Sequence, residues 1–75
     1  MQDNKINEMI LVLTYYSDEN LKIHVSRFDG FFHNGEIIKI DEENNLLILK
    51  DIMKGLTPIP INLIKRVDEY QEKGL

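Results

Sequence analysis

From Leu21 to Ser26 the chain alternates: Leu21, Ile23 and Val25 fall between Lys22, His24 and Ser26. A period of two puts apolar side chains on one face of an extended segment and polar ones on the other, which predicts a half-buried β-strand. The same theme then repeats in short lengths separated by turn formers. Asp29-Gly30 is a hairpin signal, because glycine tolerates the positive φ of such a turn. A second strand is expected from Phe31 to about Ile40, with Gly35 inside it marking a bulge or a sharp bend. Asp41-Glu42-Glu43-Asn44 turns the chain into a third strand, Asn45 to Lys50. Its run Leu46-Leu47-Ile48-Leu49 implies burial on both faces, as in a bent sheet folded over on itself. Asp51 to Lys54 turns at Gly55, Leu56 to Ile61 is a fourth strand carrying Pro58 and Pro60, and Leu63 to Val67 is a fifth.

Ahead of the strands, Ile6, Ile10 and Leu13 recur at helical spacing with Met9 alongside, so residues 3–16 are expected to form a helix. Asp3 or Asn4 can cap its start, and Ser17-Asp18-Glu19-Asn20 ends it. The strand-like content of Leu11 to Tyr16 pulls the other way. Residues 68–75 read as a charged, frayed tail. One helix followed by five short strands in hairpin order predicts a mostly β, strongly bent antiparallel barrel over residues 21–67, because consecutive strands pair and closure removes exposed edges.

The 75 residues suffice for one domain, 1–75, with no internal repeat or linker. There is no cysteine, which excludes disulfides and thiolate metal sites and fits a cytoplasmic protein. Met9 to Leu13 is the longest unbroken apolar run, too short to cross a bilayer, so no membrane role is expected. The net charge of −4 opposes broad contact with phosphates, so any nucleic-acid site must be local.

The stretch from Gly30 to Asp51 resembles the first motif of the Sm-like (LSm) family. Gly30 precedes the second strand and Gly35 lies within it, Ile37 and Ile40 follow, then Asp41, a short loop, Asn45 and the apolar Leu46-Leu47-Ile48. Gly35 to Asp41, with Ile59-Pro60-Ile61 and Ile64, is also similar to the YolD-like proteins of bacteria, which share this type of small barrel. The resemblance implies a five-stranded Sm-like barrel behind an N-terminal helix, a homo-oligomer, and single-stranded RNA contacted through Asp41, Asn44 and Asn45. The second Sm motif departs from pattern: Ile59-Pro60-Ile61-Asn62-Leu63-Ile64 lacks its Arg and Gly. Half of the family's uridine pocket therefore has no counterpart.

Each candidate residue also has an ordinary reading. Asp41 and Asn45 bond their own loop as turn formers do, while Glu42 and Glu43 repel phosphate. His24 and His33, the only histidines, read as surface or rim residues and make no recognisable metal set, with Asp29 and Glu36 the nearest candidates to complete one. Phe28, Phe31 and Phe32 flank the first hairpin and are expected mainly to pack in the core, with Phe31 or Phe32 left as an oligomer or partner contact. Lys65-Arg66 with Lys73 reads as scattered, solvated charge. Pro58 and Pro60, two residues apart, should face away from the third strand, because proline has no N–H to give. That blunts the fourth strand's outer edge, the one through which Sm-like rings assemble. No nucleophile sits beside a base and no glycine-rich phosphate loop is present, so a non-enzymatic binder without cofactor is expected. It would contact RNA or act as a protein–protein module.

Overall fold

A computed structural model describes residues 4–71. Helix α1 (Asn4–Asp18) is followed by strands β1 (Lys22–Arg27), β2 (Phe32–Asp41), β3 (Leu46–Asp51) and β4 (Gly55–Pro60). A 3-10 turn, Ile61–Leu63, then leads into β5 (Ile64–Glu69). All neighbouring strands are antiparallel, in the order β4-β3-β2-β1-β5. No helix among the described residues is long and apolar enough to cross a membrane.

Helix α1 runs two residues further than its periodicity suggests, and its end is built locally. Asn20 adopts φ +57°, the left-handed conformation asparagine tolerates. Leu21 N–H reaches Tyr16 O at 3.0 Å and Asn20 N–H reaches Ser17 O at 3.1 Å. That pair of bonds satisfies the last helical carbonyls and throws the chain straight into β1. The start of the expected helix, Asp3, lies outside the described residues. Of the expected tail, residues 72–75, Lys73 among them, lie outside the described residues; its first part is ordered, because β5 continues to Glu69 and Tyr70 N–H donates to Lys22 O at 2.9 Å.

The odd-numbered positions of β1, β3 and β4 face inward. Ile23, Val25, Leu47, Leu49, Ile59 and Ile61 are buried, joined by Ile64 and, from the helix, Leu13. Ile6, Met9, Ile10 and Tyr16 of α1 pack against this cluster. Leu46 and Ile48, on the opposite face of β3, are only half buried.

Gly35 is where β2 passes from one partner to the next. It pairs with Ile23 of β1 and with Asp51 of β3. A Cβ there would lie 2.0 Å from Lys50 O and 3.0 Å from the Asp51 Cα, so only glycine fits. A register shift between Ile37 and Lys39 adds a second irregularity to the same strand.

The expected barrel is a curled sheet, not a closed one. Among the described residues no ladder joins β4 to β5, which are the sheet's two edges. Laid flat, the four gaps between five strands would hold those edges about 19 Å apart. The 3-10 connection spans only about 8 Å, so the sheet must bend strongly to be joined there. The outer edge of β4 is also poor in donors. Ile61 N–H donates to Asn45 O at 2.9 Å, which fixes the parity of the unshifted β3–β4 ladder. Odd residues of β4 donate inward, so Leu56, Pro58 and Pro60 face outward, and Leu56 alone of the three carries an N–H.

Candidate binding site

The β1–β2 hairpin turns through Phe28, Asp29 and Gly30, with Arg27 N–H donating to Phe31 O at 2.9 Å and Gly30 at φ +93°. A three-residue loop with a left-handed glycine at its end is a standard hairpin closure. Arg27 locks this turn from the side. Its guanidinium forks onto Asp29, Nε to Oδ1 at 3.0 Å and Nη2 to Oδ2 at 2.6 Å, and its Cζ sits 5.5 Å from the Phe31 ring centroid. The Arg27 hydrogen bond holds the Asp29 carboxyl below its ordinary value. Phe28 N–H donates to Leu63 O at 2.9 Å, tying the turn to the 3-10 corner as well.

Beneath the hairpin lies a buried polar pair. His33 is 4% exposed and Asp51 6%, and His33 Nδ1 stands 3.0 Å from Asp51 Oδ2. On the far side of the ring, Nε2 is 3.3 Å from an Arg27 Nη1. A guanidinium has donors only, so Nε2 accepts and the proton sits on Nδ1, directed at Asp51. The other Asp51 oxygen accepts the Met53 and Lys54 N–H groups at 2.7 and 3.2 Å, closing the β3–β4 turn. Burial pushes the Asp51 carboxyl up, but the Met53 N–H, the His33 ring and the Lys54 N–H together leave it below its ordinary value. The expectation of a surface or rim histidine thus fails for His33. Register places it opposite Val25 on the inward face, and Asp51 continues the inward row of Leu47 and Leu49. That parity was readable in the sequence once the strand partners were known.

The three phenylalanines do not enter the core. Phe28, Phe31 and Phe32 are 67%, 62% and 62% exposed. Phe28 belongs to the turn, Phe31 lies over Arg27 beyond the covered part of the sheet, and Phe32 faces outward beside His24, ring centroids 5.5 Å apart. His24 Nδ1 in turn meets Asn34 Oδ1. Ile52 and Met53 lie in the adjacent β3–β4 turn, 51% and 88% exposed, and Ile52 N–H donates to Asn34 O at 2.8 Å. One end of the molecule therefore displays aromatic and aliphatic side chains on a turn held by the Arg27–Asp29 ion pair above the buried His33–Asp51 hydrogen bond. Arg27 and Asp51, which organise it, carried no sequence signal beyond their neighbourhood to Gly30 and Gly55.

The loop at the other end is arranged differently. Asp41 Oδ1 accepts the Asn44 N–H at 3.1 Å and Oδ2 the Asn44 side-chain amide at 3.0 Å. The Asn44 side-chain bond, then its N–H, hold the Asp41 carboxyl below its ordinary value. Asp41 and Asn44 are thus engaged with each other. Asn45 adopts φ +54°, and its carbonyl accepts Ile61 N–H, which brings the loop beside Asn62. Glu42 and Glu43 are exposed on the same loop. Pro58 and Pro60 lie on the outer edge of β4, and Gly30 and Gly35 at the hairpin turn and the β2 bend. Arg66 pairs with its neighbour Asp68 at 3.0 Å. No family model and no curated protein matches the chain.

Proposed function

We propose that this chain is a non-enzymatic binding module of the Sm-like small-barrel type, and that it works by presenting its aromatic hairpin end to a protein, a second copy included. The strand order, the Gly35 bend and the 3-10 corner support the fold part of that reading. One observation carries the functional part: Phe28, Phe31 and Phe32 are all exposed on a turn held by the Arg27–Asp29 fork. Aromatic anchors beside an arginine, already ordered before binding, are the side chains that dominate protein interfaces. A photo-crosslinking residue at position 31, used in cells, tests it. Protein adducts lost on Phe28→Ser are expected. Adducts that vanish with nuclease, or none at all, would sink the reading.

A second reading, contact with single-stranded RNA, is favoured by the Ile61–Asn45 bond, which gathers Asn45 and Asn62 at one end. Among the described residues neither side-chain amide has a hydrogen-bond partner, so both are available to a base edge. Oligo-uridine binding at low salt, weakened by Asn45→Ala with stability unchanged, is its expected signature.

A further inference from the structure

Between the first turns of α1 and the 3-10 corner runs a groove of about 560 Å³. Ile6, Met9 and Val12 form one wall, Ile61 and Ile64 the other, and Phe28 closes one side. That volume and an apolar lining with few polar groups suit an inserted side-chain cluster. The Phe28 N–H to Leu63 O bond ties the closing side to the strand wall, and Ile6 and Met9 pack against the core that contains Ile61 and Ile64, which seats the helix wall.

The charges at the rim specify the occupant. Lys5 lies on the helix wall and Lys65 on the strand wall, and neither has an ion-pair partner among the described residues, whereas Arg27 and Arg66 are each tied to an aspartate. Two like charges across a groove are relieved by an anion between them. Glu8 also lines the helix wall and disfavours a second carboxylate there, so the anion belongs on the strand side. There Asn62, three residues before Lys65, adds an amide donor. In a protein with a net charge of −4 this is a local reversal of sign.

We infer that this groove receives an apolar segment of a partner protein that carries a carboxylate beside its apolar side chains, the carboxylate resting on Lys65 and Asn62. The inference rests on the protein-binding reading and shares Phe28 with it, but the groove excludes Phe31 and Phe32.

The test is an amide-shift titration of the intact chain with two capped peptides, one of leucine and aspartate, the other of leucine and asparagine. The aspartate peptide is expected to move the amides of Met9, Val12, Phe28 and Ile64, and to bind about fivefold more tightly than the asparagine peptide. Lys65→Glu, an exposed change checked by an unchanged melting temperature, should abolish that preference. Phe31→Ser should leave it intact, so failure of the hairpin reading and failure of this one are distinguishable. Equal binding of the two peptides, indifference to Lys65→Glu, or no shift at millimolar peptide would overturn the proposal. Tighter binding of dodecanoate than of either peptide would also overturn it, in favour of a small amphiphile.

Discussion

Two turns in this molecule are headed by an aspartate, and they differ in what lies behind the carboxylate. Asp51 opens the β3–β4 turn and Asp41 the β2–β3 turn, each accepting backbone N–H groups from the residues just ahead. Asp51 is 6% exposed and also holds the buried His33 ring. Asp41 sits at the surface, its second oxygen taken by Asn44 alone. The same local chemistry therefore does two jobs. Buried, it joins two strands and underpins the hairpin above it. At the surface, it shapes one loop and leaves little carboxylate free for a ligand.

The sharpest way to break the buried end is through the glycine opposite Asp51. Gly35→Val sets a Cβ 2.0 Å from a β3 carbonyl, and β2 and β3 must separate to admit it. Overpacking of this severity costs about 3 kcal/mol or more, most of the stability of a small domain. A thermal melt should show the cooperative transition lost; a parent-like melt would disprove the close approach.

Asp51→Ala comes next. It leaves the buried His33 N–H unpaired and removes the acceptor for two turn N–H groups, a loss of about 2 kcal/mol. Denaturant unfolding measures it, and His33→Phe should recover part of the loss by removing the orphaned donor. Nitrogen chemical shifts of His33 should report the Nδ1–H form in the parent and lose that signature in Asp51→Ala.

Acid offers a gentler version. The Asp51 carboxyl lies below its ordinary value of 3.8 when folded, so the unfolded chain takes up the proton first. Its stabilising contribution is complete above that ordinary value and is lost as pH falls through it towards the folded value. Unfolding midpoints followed downward from pH 6 should decline more steeply in the parent than in Asp51→Ala. Parallel curves would show that the pair contributes nothing.

The smallest effect belongs to the surface turn. Asp41→Ala should shift the melting temperature little, because solvent replaces what the loop loses. The comparison fails if Asp41→Ala and Asp51→Ala prove equally damaging.

Much of the fold was legible beforehand. The alternation around Ile23 and Val25 and the turn at Gly30 follow from chemistry acting over a few bonds, whereas Gly35, expected as a bulge or bend, is required by a β3 carbonyl that register brings against it. The candidate site was legible only in part. Asp41, Asn44 and Asn45 do share a loop, but the carboxylate and Asn44 satisfy each other. Phe31 and Phe32 were expected to divide between core and surface by strand parity. Both stay outside, because parity decides which face a side chain points to and not whether anything covers that face.

By itself the sequence determined that there is a helix followed by five short strands, the turn glycines and the donor-poor outer edge of β4, since each depends on residues within one turn or one pleat of each other. Only the tertiary structure decided that His33 meets Asp51 across 18 positions, that the sheet curls without a β4–β5 ladder, and that the helix leaves a groove beside Phe28. The reason is register. Which carbonyl or side chain lies opposite a given residue is set by how distant strands come to pair, and burial, tautomer and free edges all follow from that pairing.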